Sequence, residues 1–187
     1  MNLEKESNVL IIAPHPDDEI LGLGGVIKKL SLLGHKVFIL TVSGHLPPLY
    51  KEGVFKEHKE QALKAHEIVG VEDSFFLEIP ATFVKDQKIA DLNGKIYKYI
   101  EKLKPDVVFL PFPDRHIDHK VIFESSMVSI RPVHDGKCIK LAACYEVLSE
   151  THWNVPGVES TFSPDLFINI DDQIQNKLLA LGMYKSQ

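Results

Sequence analysis

Residues 9–19, VLIIAPHPDDE, are the stretch that decides the fold class. The apolar half predicts a buried strand from Val9 to Pro14, and the polar half places a histidine and two aspartates directly after it. A glycine-spaced segment with helical character, residues 21–25, follows. A buried strand that runs through polar residues into a helix is typical of α/β proteins, whose sites lie at the carboxyl ends of the strands.

Short apolar strands and helices alternate along the rest of the chain. The predicted strands are Val9–Pro14, Lys36–Val42, Ser74–Ile79, Val107–Leu110, Ile139–Val147 and Leu166–Ile170. The predicted helices are Glu19–Leu33, Val54–Val69, Asp91–Leu103, His119–Ile130 and Asp171–Tyr184. This alternation predicts a three-layer αβα sandwich with a mostly parallel sheet, and the length of 187 residues predicts a single domain over residues 1–187.

A second polar cluster, residues 114–119 with the sequence DRHIDH, follows the fourth predicted strand. Right-handed crossovers place the carboxyl ends of parallel strands on one side of a sheet, so we expect both clusters at the same rim. Histidine nitrogens and carboxylate oxygens are ligands that zinc prefers. The two clusters together predict a divalent-metal site.

Composition and charge exclude several other classes of function. The net charge of -5 gives no electrostatic footprint for nucleic acid. The first apolar run is too short for a secretion signal, and no stretch reaches the ~18 apolar residues of a membrane span. We therefore expect a cytoplasmic protein without a membrane span. Cys138 and Cys144 do not form a zinc or redox motif, and we expect both to be reduced.

Two adjacent aspartates suit a metal ligand beside a base, because only one of them easily points at the ion. A bound metal lowers the pKa of its water to about 7. The second aspartate then accepts the proton of that water, and a further histidine stabilises the oxyanion or protonates a leaving amine. From the residues alone, an aspartate pair that merely caps the following helix remains an alternative.

Several motifs carry a resemblance to a known family. Residues 13–19, APHPDDE, resemble the signature of the LmbE-like, or PIG-L, zinc deacetylases, and residues 116–119, HIDH, are similar to that family's second motif. Residues 22–25 resemble the start of the family's first helix, and Lys177, Ala180, Tyr184, Ser186 and Gln187 are similar to its C-terminal pattern.

This resemblance implies a Rossmann-like fold and removal of an N-acetyl group from an amino sugar or its conjugate. It implies His15, Asp18 and His119 as ligands of Zn²⁺, or of Fe²⁺ in its place. Asp17 matches the general base, His116 the oxyanion-stabilising or acid group, and Asp118 the carboxylate that orients His116 and raises its pKa. The resemblance also implies a homo-oligomer, although no local signature of an interface is present.

The substrate side of the site is less defined. We expect Arg115 and His45 to contact substrate and Trp153 to close the core. The remaining histidines are expected at the surface: His35, His58, His66, His134 and His152. Many members of the family carry an arginine and a glutamate where this chain has His58 and Gln61, and this departure favours a different sugar or a differently placed anionic group.

Two alternatives to a deacetylase stay open at this point. One is a metal-dependent hydrolase of another bond, an ester or a phosphoester, although a two-metal phosphatase needs more bridging carboxylates. The other is a non-catalytic module of the same fold that binds a sugar or a nucleotide. A binding module has no need of a base, so Asp17 and His116 favour an enzyme.

Overall fold

The computed structural model describes residues 6–155 and 157–186. Its central sheet has five parallel strands: β1 (Asn8–Ala13), β2 (Lys36–Gly44), β3 (Asp73–Pro80), β4 (Val107–Pro111) and β5 (Leu141–Tyr145). The helices are α1 (Asp18–Leu32), α2 (Val54–Val69), α3 (Ile89–Leu103), α4 (Ile117–Ser129) and α5 (Ile174–Leu181). The predicted α/β fold with a parallel sheet is confirmed.

The order of the strands is β3-β2-β1-β4-β5. The chain therefore builds outward from β1 in one direction and then crosses back to place β4 on the other side of β1. Ile11 of β1 lies opposite Phe109 of β4. The crevice between the carboxyl ends of two such strands is where open α/β sheets bind ligands. Both polar clusters follow these two strands, so they meet at the switch point of the sheet.

Alternate residues of β1 point to opposite faces of the sheet, as the two-residue period of a strand requires. Val9 and Ile11 join a core cluster with α1, α2 and α5, whereas Leu10 and Ile12 join a second cluster with α3 and α4. All four side chains are fully buried. β1 is apolar on both faces because helices cover both faces of the sheet, as predicted.

Gly22 explains why the first helix carries glycines. A Cβ atom built at Gly22 would collide with the ring of Tyr145 in β5 and with the carbonyl oxygen of Glu146, and one at Gly25 would collide with Ile170. These glycines let α1 lie close to its neighbours. The glycines of α1 therefore serve close packing against β5 and Ile170.

The prediction of a sixth strand is wrong. Leu166–Ile170 is extended but does not pair with the sheet, and Phe167 is 79% exposed. Ile168 and Ile170 instead pack against the core beside α1. The predicted closing helix Asp171–Tyr184 is a 3-10 turn (Asp171–Gln173) followed by the shorter α5.

Other boundaries differ less. α2 has the predicted bounds, α3 and α4 each begin two residues earlier than predicted, and β5 is shorter than predicted at both ends. Cys138 and Cys144 are free thiols. Among the described residues, none of the helices has the length and apolar character needed to cross a membrane.

Candidate active site

A cavity of about 350 Å³ opens at the carboxyl ends of β1 and β4. Residues of both polar clusters line it, together with residues of the loops after β2, β3 and β5. Its lining consists of His15, Asp17, Asp18, His45, Tyr50, Ala81, Thr82, His116, His119, Ser149, Glu150 and Ser186. The structure therefore brings together the two clusters that are about a hundred residues apart in sequence.

Three histidines of this cavity form a compact group. The ligand atoms of His15, His116 and His119 all lie within 4.8 Å of one another. Asp18 adds a carboxylate oxygen to the group, because its Oδ2 lies 3.2 Å from Nδ1 of His15 and 3.4 Å from Nε2 of His119. Two overlapping sets of three ligands are thus available, one with Asp18 and one with His116.

His119 is held in place by an aspartate that the sequence analysis did not single out. Its Nδ1 lies 2.9 Å from Oδ2 of Asp114, which also accepts a hydrogen bond from the hydroxyl of Thr151. Asp114 Oδ1 accepts the backbone N–H of His116. Asp114 and His119 are fully buried. A carboxylate behind a histidine fixes the ring so that its other nitrogen can bind a metal.

That other nitrogen, Nε2 of His119, is buried and lacks a hydrogen-bond partner in the described part of the chain. It faces Asp18 Oδ2 at 3.4 Å. An orphaned buried nitrogen is costly unless something binds it. The imidazole and carboxylate donors at this point are those that zinc and similar divalent ions use, so the residues fit such an ion.

Asp118 contacts His15 rather than His116. Its Oδ2 lies 3.0 Å from Nε2 of His15 and accepts the backbone N–H of Thr82 at 2.8 Å. The side chain of His116 contacts only the backbone of Asp118. Nδ1 of His116 accepts the Asp118 N–H at 3.2 Å, and this hydrogen bond caps α4. The expected carboxylate pair on His116 is therefore absent, and Asp118 orients His15 in the way that Asp114 orients His119.

Asp17 stands at the start of α1 in an unusual backbone conformation. Its φ angle is 125°, a region that residues other than glycine rarely adopt. Its carbonyl oxygen accepts hydrogen bonds from the backbone N–H groups of Ile20 and Leu21, and its own N–H donates to Oε2 of Glu19 at 3.3 Å. The strained turn directs consecutive aspartates to one cavity, and strain of this kind is common at functional sites.

Glu19 ties this turn to two distant parts of the chain. Its Oε1 accepts a hydrogen bond from the hydroxyl of Tyr184 at 2.8 Å and lies 3.0 Å from Nε2 of His66. Nδ1 of His66 lies 2.8 Å from the hydroxyl oxygen of Ser74. Glu19 and His66 are buried, so the prediction that His66 lies at the surface is wrong.

The electrostatics of the cavity suit a cation. Burial acts to lower the pKa of His15, but its hydrogen bonds to Asp118 and Asp18 outweigh burial and raise that pKa to about 9. Burial also acts to lower the pKa of His119, but the charge of Asp18 and the hydrogen bond to Asp114 outweigh burial and raise that pKa to about 10. The carboxylates around the two imidazoles therefore favour positive charge at this point of the cavity.

The two adjacent aspartates have pKa values that shift in opposite directions. Burial raises the pKa of Asp17 to about 9, and the charges of Asp18 and Glu19 add to this effect. Burial also opposes ionisation of Asp18, but the imidazoles of His119 and His15 hold the pKa of Asp18 well below its usual range. Asp18 is therefore the anionic partner of the histidines, whereas Asp17 favours a proton.

His116 has the opposite shift from the one expected. Burial and the positive charges of His15 and His119 lower its pKa to about 4, and the more distant charge of Asp118 does not compensate. The prediction of a raised pKa for His116 is wrong, because burial lowers this pKa and the carboxylate of Asp118 forms its hydrogen bond with His15 instead.

The rim contains an aromatic group beside His45. The His45 ring stacks on Tyr50 with centroids 4.0 Å apart, and His58 packs edge-on at 4.7 Å. His58 is buried, which corrects its predicted surface position. Gln61 accepts a hydrogen bond from the hydroxyl of Ser186, a residue of the cavity.

Arg115 does not enter the cavity. It is exposed, its guanidinium lies 5.8 Å from the ring centroid of Trp153, and it donates to the carbonyl oxygen of Trp153 at 3.5 Å. Trp153 is 64% exposed, so the expectation that it closes the core is wrong.

Other cavity residues escaped the sequence analysis because they come from loops whose approach depends on the whole fold: Tyr50, Thr82, Ser149 and Glu150. Asp114 carried a usable signal, because it is the first polar residue of the second cluster. Tyr184 and Ser186 belong to the C-terminal pattern that was singled out, and Gln187 of that pattern lies outside the described residues.

This protein has a parallel α/β fold with histidines and aspartates at the switch point of its sheet, which places it in the broad class of α/β proteins with candidate metal centres. The comparisons narrow this class. The family described as "PIG-L: GlcNAc-PI de-N-acetylase" matches residues 10–129. The chain therefore belongs to the PIG-L family, as its motifs indicated.

Curated relatives cover almost the whole chain. Diacetylchitobiose deacetylase of Thermococcus kodakarensis is 28% identical over 96% of this chain and 69% of its own length. The probable N-acetyl-alpha-D-glucosaminyl L-malate deacetylase 2 of Bacillus cereus is 26% identical over 97% of this chain and 84% of its own length.

Solved structures show the same fold. The N,N'-diacetylchitobiose deacetylase of Pyrococcus horikoshii, solved with its inhibitor MPG, superposes with a TM-score of 0.73 at 24% identity. The superposition covers 97% of this chain and 70% of that chain. It shows that the LmbE-like fold extends over nearly all of the chain.

Proposed function

We propose that this protein is a metal-dependent N-deacetylase that hydrolyses the acetamido group of an amino sugar or its conjugate. The observation that carries the proposal is the meeting of Asp17, Asp18, His15, His116 and His119 in one cavity. The family and both relatives, whose names describe deacetylases of N-acetylated sugars, support it.

His15, Asp18 and His119 would hold the ion, with Zn²⁺ as the proposed metal and Fe²⁺ as the other choice. Asp114 and Asp118 would orient the two histidines from behind. When bound, a divalent ion supplies Lewis acidity and lowers the pKa of a bound water to about 7. His116 lies beside both histidines, with ring centroids 4.8 Å from His15 and 4.9 Å from His119.

Asp17 would take a proton from water as the oxygen of that water attacks the acetyl carbon. Its raised pKa makes it a stronger base than an ordinary aspartate, although a nearby cation lowers that pKa. His116 would donate to the acetyl oxygen as negative charge develops there. The carbon–nitrogen bond then breaks, the amine takes up a proton, and acetate and the free amino sugar leave.

The test is metal analysis combined with a direct assay for amine release. The protein is stripped of metal, reloaded with Zn²⁺ or Fe²⁺, and offered N-acetylglucosamine, N,N'-diacetylchitobiose, a sugar acetate ester and a sugar phosphomonoester. We expect one tightly bound ion per chain and release of a primary amine with matching acetate. Hydrolysis of only the ester or the phosphomonoester would favour the other hydrolases.

A matched pair of variants separates catalysis from binding. Asp17→Asn is expected to bind metal and sugar without turnover, whereas Asp73→Asn, an exposed aspartate at the far end of β3, should behave as the unchanged protein. Sugar binding without amine release by the metal-loaded unchanged protein would instead indicate a non-catalytic module.

A further inference from the structure

Outside the cluster of His15, His116 and His119, the described walls of the candidate active-site cavity contain acidic and neutral groups. Within residues 6–155 and 157–186, neither lysine nor arginine lines it. Away from the candidate metal ligands and Asp17, its polar wall consists of His45, Tyr50, Thr82, Ser149, Glu150 and Ser186. An ordinary site for a phosphate or carboxylate offers guanidinium or ammonium groups, and this wall does not.

Two basic side chains of the second polar cluster and of α4 contact groups outside the cavity lining. Arg115 lies against Trp153 outside the cavity. Lys120 forms an ion pair with Glu159, with Nζ 3.3 Å from Oε1. His45 is not a cationic substitute, because burial and the neighbouring His58 lower its pKa to about 4.

Glu150 adds a carboxylate to the lining of the cavity. It is only partly buried and lies in the loop after β5, next to the exposed Ser149. A like charge repels an anionic substituent, whereas a hydroxyl group of an uncharged sugar can donate a hydrogen bond to the same carboxylate. The stacked rings of His45 and Tyr50 offer a neutral surface against a sugar ring.

We propose that this cavity selects uncharged N-acetylated sugars and rejects sugars with a phosphate, sulfate or carboxylate group near the acetamido group. This inference rests on the proposed deacetylase function and specifies its substrate class. Glu150 is the residue that contributes the repulsion, and within the described residues the lining has no lysine or arginine beside it to offset this charge.

The experiment compares charged and neutral sugars of similar size. The zinc-loaded full chain is assayed at pH 8 with N-acetylglucosamine 6-sulfate and 1-phosphate, and with the neutral 6-O-methyl and 1-O-methyl derivatives. Burial raises the pKa of Glu150, so the assay is run at pH 8, well above the ordinary range of a glutamate. We expect kcat/KM for the anionic sugars to be lower by at least about fivefold, the effect of one close like-charge contact in a water-like medium.

Ionic strength provides an independent readout of charge. Added salt screens exposed charges, so kcat/KM for the anionic sugars should rise as the salt concentration increases, whereas that for the neutral sugars should not. A preference that is due to shape alone would not depend on salt and would overturn the role of charge.

Variants at the rim test which residue is responsible. Glu150→Gln and Ser149→Lys should each reduce the ratio of neutral to anionic kcat/KM by several-fold. Glu146→Gln is the matched control, because Glu146 lies in the same loop but pairs with His152 at 2.7 Å outside the cavity. An unchanged ratio in both rim variants, or equal kcat/KM for the charged and neutral sugars, would overturn the proposal.

Binding measurements keep this inference separate from the function on which it rests. Titration calorimetry with the zinc-loaded Asp17→Asn protein measures the affinity for the same four sugars without turnover. Weaker binding of the anionic sugars supports the selection even if the unchanged protein releases no amine. Tighter binding of the anionic sugars contradicts the selection whatever the protein hydrolyses.

Discussion

Asp17 and Asp18 show how two adjacent carboxyl groups acquire different properties. Asp18 Oδ2 accepts the backbone N–H of His15 at 2.9 Å and faces two imidazoles, which stabilise its charge. Burial raises the pKa of Asp17 to about 9, and the charges of Asp18 and Glu19 add to this effect. Pairs of acids whose environments separate their pKa values in this way commonly divide the roles of charge stabiliser and proton acceptor.

The first prediction concerns this division. Asp17→Asn keeps the shape of the side chain and removes the proton acceptor, so kcat should fall by at least ~10²-fold with metal content unchanged. Asp18→Asn removes the anion that faces His15 and His119, so metal content should fall. Elemental analysis and steady-state kinetics on both variants check this. Loss of metal from Asp17→Asn alone would show that the two roles are reversed.

The second prediction decides between the two ligand sets. If Asp18 completes the site, His116→Ala should retain metal and lose kcat, whereas His119→Ala should lose both. If the three histidines form the site, His116→Ala should lose metal as well. Equilibrium dialysis with Zn²⁺ measures the dissociation constant of each variant. His152→Ala is the control, since His152 is exposed and lies outside the cavity.

Sequence identified the residue types of the site better than their partners. Most residues predicted for the site line one cavity, but Asp118 bonds His15 rather than His116, and Asp114 supports His119. These pairings depend on how β1, β4 and α4 approach one another, which a local motif does not encode. His66 was missed for the same reason, because its partner Glu19 lies 47 residues away in the chain.

At the scale of elements, the predictions worked where local pattern and tertiary environment agree. α2 and the buried strands β1 and β4 have strong local signals and lie where the pattern placed them. Leu166–Ile170 has the residue types of a strand, but strand formation requires a neighbouring strand, and this segment packs its isoleucines against the core instead. The sequence therefore predicts a strand propensity that the topology does not use.

The turn between β4 and α4 carries the third prediction. Asp114 bonds His119, Thr151 and the backbone of His116, so it orders the whole turn. Asp114→Asn should weaken Zn²⁺ binding by about 10- to 100-fold, the usual effect of losing a carboxylate behind a metal-binding histidine. Competition with a zinc chelator measures this change.

A matched substitution distinguishes this effect from general damage to the fold. Asp106→Asn alters an aspartate at the opposite end of β4, where it bonds the backbone of Asn8 and pairs with Lys140. It should leave Zn²⁺ affinity within about twofold of the unchanged protein. Equal weakening in both variants would indicate destabilisation of β4 rather than loss of orientation of His119.

At the scale of the whole molecule, the segment after α5 is connected to the turn that contains Asp17. Tyr184 is buried, packs in the core beside α1 and donates its hydroxyl to Glu19, which in turn accepts the backbone N–H of Asp17. His66 of α2 joins the same carboxyl group, and His66 bonds Ser74 of β3. Distant parts of the chain thus meet at the residue that determines the conformation of Asp17.

The fourth prediction tests whether this connection supports catalysis as well as stability. Tyr184→Phe removes a buried hydrogen bond to a carboxyl group and should lower the free energy of unfolding by about 1–3 kcal/mol. Because Glu19 then holds Asp17 less firmly, kcat should also fall several-fold, with KM and Zn²⁺ content little changed. Urea denaturation and steady-state kinetics on the zinc-loaded protein measure the two effects. Tyr97→Phe is the control, since Tyr97 donates to Asp135 at 3.1 Å on the other face of the sheet. It should lose some stability and keep its kcat, so an equal fall of kcat in both variants would show that Tyr184 acts through stability alone.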